Sequence, residues 1–438
     1  MSGNPTSFLS GHVAHERFLC ANLPLSSYQP NPIRSTTMHM KRIFLPVGQG
    51  AFYLERFWLQ EHEHPINVVY DCGAVIEQST ARDIQCNQSN MECIIERVFQ
   101  KGETIHAVYL SHLHEDHVNG LQALCKWCNV NKVFFPLIAK DDLPLMRLQD
   151  WMRNNAEGSI ARQLIDFSEN NRRPEMDPGP EQWIPVPATE NGERPPELQD
   201  NAYNSLPSIM GHSLSSGSSF RNWVFIHYNF REQSRIEKLK DALRKELQLS
   251  EDELQSDLNN DYLLSRWNDK ESREKIKQAY KSIPGQFNTN SMTLFSGDCT
   301  ESLQQISLRQ ECLLHCHSPL SCQSFPLTDF YCNNRSTASG CLYTGDYDAK
   351  GSSKWTTLKN HYRRYWNSIG CVQIPHHGSR HSFNDALCEC DAFFVISAGL
   401  GNHYHHPHAE VVAALRAKKR LFAVVTQAPF SIFSTLVR

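Results

Sequence analysis

Ser111-His112-Leu113-His114-Glu115-Asp116-His117 places three imidazoles and a carboxylate within six residues. The run follows the apolar segment Ile105 to Leu110 and precedes Val118-Asn119-Gly120. Alternate residues of an extended segment share a side, so His112 and His114 can converge on one ion. Asp116 and His117, past the bend, reach a neighbouring ion. The preceding apolar run reads as a buried strand, which delivers the cluster at its C-terminal end, where open α/β sheets place their chemistry. A hydrophilic loop that is merely histidine-rich is the bland alternative.

Outward from this run, Lys41 to Val47 reads as a strand, Gly48-Gln49-Gly50 as a turn and Ala51 to Leu59 as a second strand. Ile66 to Tyr70 is a third strand ending at Asp71-Cys72-Gly73, and Ala81 to Gln100 has helical spacing of its apolar residues. Residues 168–218, rich in Pro, Glu, Asn and Ser, read as a loop insertion. Asn222 to Phe230 is a strand; 231–285 is a charged helical insertion, with Ile236, Leu239, Leu243 and Leu247 at helical spacing. Strand signals return at Ser291 to Phe295, Cys341 to Thr344, Gly370 to Ile374, Ala392 to Ile396 and Leu421 to Val425. Residues 1–38 have no hydrophobic period and read as a mobile extension. The rest, 39–438, reads as one catalytic domain with insertions.

The 438 residues carry a formal charge of -4, which excludes a global basic field for nucleic acid and leaves room for a local one. No apolar run approaches the roughly 18 residues needed to cross a bilayer, and the N-terminus lacks the basic-then-apolar layout of a secretory signal, so a cytoplasmic protein without membrane contact is expected. Fifteen scattered cysteines fit reduced thiols or metal ligands. Several of the 21 histidines fall in tight clusters, as a neutral-imidazole metal site requires. Between residues 299 and 340 lies a Cys-rich insertion with Cys299, Cys312, His315, Cys316, His317, Cys322 and Cys332, followed by Cys341. Some of these could hold a structural zinc, although a loop of thiols is the simpler reading. Cys125-Lys126-Trp127-Cys128 is a C-x-x-C without a thioredoxin-like context.

The H-x-H-x-D-H run resembles the signature of the metallo-β-lactamase superfamily, and its companions resemble the hydrolase domain of competence protein ComEC. Val47-Gly48-Gln49-Gly50 is similar to that subgroup's V-G-Q-G, and Asp71-Cys72-Gly73 to its strand-ending D-x-G. Leu342-Tyr343-Thr344-Gly345-Asp346 is similar to L-x-T-G-D, and His376-His377-Gly378-Ser379 to H-H-G-S. Ser397-Ala398-Gly399 with Asn402 to Pro407 is similar to the later S-x-G, N-x-Y and H-P run. The resemblance implies an α/β fold, a four-layer αββα sandwich, carrying these helical and Cys-rich insertions. It implies two divalent ions, zinc first and manganese second, held by His112, His114, Asp116 and His117 with Asp346 as the bridge. His376 and His406 go to the metal or to a substrate phosphate. Asp298 competes with Asp346 as a strand-end aspartate, but the segment of Asp346 runs on to the His376 strand with the helix-length gap of a β-α-β unit. The third histidine motif of the superfamily has only His212 and His227 as candidates.

Two such ions lower the pKa of a shared water and clamp an electrophilic centre. Asp116 would orient the resulting hydroxide, and His377 or His381 would act on the leaving oxygen. His377, His381, His403, His405 and His408 otherwise read as lid, supporting or substrate-facing residues, or as plain surface. The expected activity is metal-dependent hydrolysis of a phosphodiester, with nucleic acid as the leading substrate and Lys359, Arg363, Arg364 and Arg380 as a basic lane. A small nucleotide, ester or lactone is the alternative. Two readings of another class are a binding module that has lost its chemistry and an effector subunit whose insertions dock a protein partner.

Overall fold

A computed structural model describes residues 39–60, 62–75, 81–152, 158–189, 205–211, 220–231, 233–249, 265–283, 291–300, 303–311 and 335–437. The N-terminal extension, His212 and residues 312–334, with most of the Cys-rich insertion, lie outside them.

Among the described residues, the first half of the chain contributes β1 (His39–Phe44), β2 (Phe52–Trp58), β3 (Ile66–Cys72), β4 (Thr104–Ile105), β5 (Ala107–Tyr109), β6 (Asn129–Val130), β7 (Lys132–Pro136) and β8 (Gln182–Val186). The second half contributes β9 (Trp223–Tyr228), β10 (Thr293–Asp298), β11 (Leu303–Glu311), β12 (Arg335–Ala338), β13 (Gly340–Tyr343), β14 (Ile369–Gln373), β15 (Phe393–Ser397), β16 (Phe422–Val425) and β17 (Ile432–Val437). A nine-stranded sheet runs β12-β11-β17-β1-β2-β3-β5-β7-β8, and a six-stranded sheet runs β16-β15-β14-β13-β10-β9. This is a mixed α/β architecture consistent with a metallo-β-lactamase fold.

Period-two patterning decides which face each residue buries. On β2, Tyr53 and Phe57 join the core between the two sheets, while Phe52 and Leu54 join the core under helices Ala81–Val98, Leu121–Trp127 and Ile160–Asn170. Tyr343 of β13 reaches across, its ring 4.9 Å from that of Tyr70 on β3. On the six-stranded sheet, Leu342, Val372 and Ile396 pack against Leu358, Val411 and Leu415 of helices Ser352–His361 and Ala409–Ala417. One ion pair is sealed between the sheets. Arg42 donates from Nε to Glu55 at 2.7 Å, and Glu55 also accepts from Tyr343 and Ser296.

Three segments differ from the sequence reading. Residues 182–186, inside the expected loop 168–218, form β8, an edge strand parallel to β7; an edge position tolerates its Pro185. The flanks of the expected Cys-rich insertion form β11 and β12, which pair with each other. β17 lies between β11 and β1, antiparallel to both. The charged segment carries helices Gln233–Leu247 and Lys270–Ser282, packed through Leu239, Leu243, Ile276 and Ala279. No helix among the described residues is long and apolar enough to cross a membrane.

Candidate metal centre

Five strand ends converge where the two sheets meet. β3 and β5 are parallel neighbours in one sheet; β13, β14 and β15 are parallel neighbours in the other. Their C-terminal ends deliver Asp71, the His112 run, Asp346, the His376-His377 pair and, after β15, the loop carrying His406. The sheets are tied together at this point. The Met292 N–H donates to Ser111 O at 2.6 Å, and Tyr70 Oη donates to Met292 O at 2.8 Å. The Asp346 N–H donates to Ser291 Oγ at 3.0 Å. Gln373 fixes the Thr344-Gly345 turn, its Oε1 accepting from both backbone N–H groups at 2.7 and 2.8 Å.

Close backbone approach sets the second wall. A Cβ on Gly73 would lie 2.5 Å from the Asp116 carbonyl oxygen and 2.6 Å from the His117 nitrogen, so only glycine admits helix Glu115–Val118 there. On the opposite wall His376 and His377 both have positive φ, 50° and 54°. Such backbone costs about 1–3 kcal/mol per non-glycine residue and persists where the surroundings enforce it. Its effect is to turn two consecutive imidazoles toward one carboxylate.

Asp346 spans the centre. Its Oδ2 is 3.7 Å from His112 Nε2 and 3.6 Å from His376 Nε2, and its Oδ1 is 3.5 Å from His117 Nε2 and 3.7 Å from His377 Nε2. Asp116 Oδ2 is 3.8 Å from His117 Nε2 and 3.7 Å from His377 Nε2. These separations exceed a hydrogen bond. They match two donors sharing an ion, because ligands about 2.1 Å from a tetrahedral zinc lie about 3.4 Å apart. Three groups have ligand atoms all within 4.8 Å of one another: His112, His114 and Asp346; His112, Asp116 and His117; and His117, Asp346 and His377. Among the described residues, Nε2 of His112, His117 and His377 and Oδ1 of Asp346 are buried without a hydrogen-bond partner. Leaving one such group unmatched costs about 1–3 kcal/mol, and divalent ions fit all of them.

The far side of each ring prepares that role. His117 Nδ1 lies 2.8 Å from Asp71 Oδ2, and His377 Nδ1 lies 2.9 Å from the carbonyl of Ser397. An acceptor at Nδ1 keeps the proton there and turns the Nε2 lone pair inward. Asp71 is held in turn by Ser111, through N–H at 2.6 Å and Oγ at 2.7 Å. His112 Nδ1 meets Ser111 Oγ at 2.8 Å and Ser291 Oγ at 3.2 Å.

Charge follows the same logic. Burial opposes ionisation of Asp116 and Asp346, but the surrounding imidazoles outweigh it and hold both carboxyls below their usual range, His117 and His377 acting on both and His376 also on Asp346. Burial also opposes charge on His117, yet Asp71, Asp116 and Asp346 raise its pKa well above the ordinary value. His112 is driven well down by burial and then by His117 and His114. Burial, followed by His377 and His376, depresses His406 to about 3.

The structure therefore brings together His112, His114, Asp116, His117, Asp346, His376 and His377, with His406 beside them, its ring centroid 5.6 Å from that of His376. His377, read from sequence as acting on the leaving oxygen, sits among the carboxylates. His381, read the same way, is exposed and meets Arg380 and His408 at the rim. Asp298 is at the wrong end. β10 runs antiparallel to β13, so its start, with Ser291, faces Asp346 while its end pairs with Trp223. His227 lies on β9 opposite Leu294 and belongs to none of the three groups. Three of the four basic residues read as a lane have acidic or thiol neighbours. Arg364 acts on Cys299, beyond the far end of β10, Lys359 lies 4.0 Å from Glu389, and Arg380 pairs with Glu410 at 2.7 Å. Burial pushes the Cys125 and Cys128 thiols up to about 12, which favours the protonated form over the thiolate. The sequence reading assigns no role to Asp71, Ser111, Ser291, Gln49 or Gln373, although Asp71 and Gln49 stand in its D-x-G and V-G-Q-G motifs and Ser111 opens the histidine run.

Convergent imidazoles and carboxylates at the C-terminal ends of two packed sheets define a site of the metal-dependent hydrolase type. The family model for the metallo-beta-lactamase superfamily matches residues 66–198, which contain Asp71 and the whole His112 to His117 run. The comparison with curated proteins finds no match.

Proposed function

We propose that this protein is a phosphodiesterase of the ComEC-like type on a four-layer αββα scaffold, working in the cytoplasm with zinc, or second manganese, and with nucleic acid as its first substrate. The observation that carries the reading is Asp346, whose two oxygens face different sets of imidazoles. A pair of ions held there would supply a water of lowered pKa and a clamp for the phosphoryl oxygens. His112 and His114 hold one side and Asp116, His117 and His377 the other. Asp116, the most exposed of these ligands at 20% of its side chain, orients the attacking water. Asp71 fixes the ring of His117, and Ser291 Oγ meets His112 Nδ1 at 3.2 Å. His376 faces the side of Asp346 that carries His112.

Hydrolysis of a generic phosphodiester and of labelled single- and double-stranded DNA and RNA, together with elemental analysis, tests the proposal. Bound metal and cleavage lost in Asp116→Ala support it; full activity of a folded Asp116→Ala overturns it. A small nucleotide or other small phosphodiester is the second reading, and cleavage of such esters without cleavage of polymers would select it. A protein partner docked on the insertions would appear as a stable complex in pull-down.

A further inference from the structure

Gln49 lies in the Gly48-Gln49-Gly50 turn, far from His406 in sequence, yet the two side chains meet. Gln49 Nε2 is 3.2 Å from His406 Nδ1, and both residues are buried. The orientation of this amide is settled by its other end, because the Gly399 N–H donates to Gln49 Oε1 at 3.3 Å. With Oε1 occupied by a donor, the Gln49 NH2 faces the ring, so His406 Nδ1 is the acceptor and the proton of the neutral imidazole resides on Nε2. His117 and His377 have the opposite arrangement, an acceptor at Nδ1 and a bare Nε2. The His406 backbone is fixed as well: its N–H donates to Asn402 Oδ1 at 2.9 Å, and Asn402 Nδ2 donates to the carbonyls of Gly399 and His406 at 2.6 and 2.7 Å. His406 belongs to none of the three groups able to hold an ion among the described residues, although its ring stacks at 6.2 Å on that of His377.

We infer that His406 is not a metal ligand but a neutral N–H donor for a phosphoryl oxygen, and that Gln49 is the positioning residue that selects its tautomer. The inference rests on the phosphodiesterase reading for the identity of the acceptor, and on geometry alone for the choice between donor and ligand. A preorganised donor of this kind strengthens as negative charge grows on the oxygen, so its removal acts on kcat more than on KM.

The test compares wild type, His406→Leu, His406→Gln, Gln49→Met and the double variant Gln49→Met/His406→Leu. Metal content is read by elemental analysis and turnover with a generic phosphodiester. The expected result is the same number of ions per chain in all five. kcat falls about 100-fold in His406→Leu at little change in KM, and part of the loss returns in His406→Gln, whose amide N–H replaces Nε2–H. Gln49→Met loses about 10-fold alone and nothing further in the His406→Leu background, because it acts only through His406. Loss of one ion in His406→Leu overturns the inference, as does a Gln49→Met factor that persists in full in the double variant. If wild type cleaves no phosphodiester, the proposed function fails, while the metal content of His406→Leu still decides between donor and ligand.

Discussion

Two buried polar clusters lie within this molecule, and they are finished differently. Between the sheets, Arg42 and Glu55 are closed on each other and on Tyr343, Ser296 and the Ser339 carbonyl, and among the described residues none of their atoms lacks a partner. At the sheet ends, the rings of His112, His117 and His377 are each anchored at Nδ1, while their Nε2 atoms and one oxygen of Asp346 have no hydrogen-bond partner among the described residues. A satisfied network holds two layers in register; one satisfied only from behind is preorganised for something it does not itself contain. Burial alone does not distinguish them, since both are nearly inaccessible. What distinguishes them is the direction in which the unmatched atoms point.

That contrast is broken most directly at Asp346. Asp346→Ala lowers turnover by about 10⁴-fold and reduces bound metal, with the far-UV circular dichroism unchanged; a variant that keeps both metal and activity would make the two clusters equivalent. At the other cluster, Arg42→Met leaves Glu55 as an unmatched buried charge and lowers unfolding stability by about 3–5 kcal/mol in urea titration, without changing the metal content of the folded fraction. Adding Glu55→Leu restores most of that loss, because an apolar pair replaces a satisfied one. Supplying metal to chelated protein raises stability by about 2.7 kcal/mol at one hundred times the Kd, read as a rise in melting temperature, and Arg42→Met retains this increment. Asp71→Asn weakens the support of His117 and lowers metal affinity by about 10-fold in competition with a chelator.

The smallest expected effect is on pH. The pKa of His117 is raised in the metal-free protein, so the stability its charge contributes is present below its unfolded value and lost as pH rises through the folded one. Asp116 and Asp346 are depressed, so their contribution is present above the unfolded carboxylate range and lost as pH falls through the folded values. An ion needs the neutral ring, so binding at neutral pH expels a proton from His117 and affinity rises with pH. Calorimetric titrations in two buffers of different ionisation enthalpy detect that proton; identical heats would remove this assignment.

Legibility in the sequence followed the reach of each contact. His112 to His117 could be read because the ligands are neighbours on one chain segment, and most of the strands because apolar alternation is local. Asp346 could be separated from Asp298 only by a connection argument, which the antiparallel pairing of β10 with β13 now makes physical. Which of His376 and His377 enters a ligand group depends on two positive φ angles that composition does not announce. Gln49 stands in the V-G-Q-G motif, but that motif does not announce its partner, a ring from the opposite end of the chain. β11, with polar residues at most positions, gains its place from β17 and β12 rather than from its own pattern.

The junction of the two sheets also sets a timetable. Asp71 and the His112 run are made early, whereas Asp346 and His377 follow more than two hundred residues later, and pairings of such long sequence separation are slow to form. A nascent chain thus carries only part of the candidate ligand set, and the arrangement that could choose among metals exists only once the second sheet has docked.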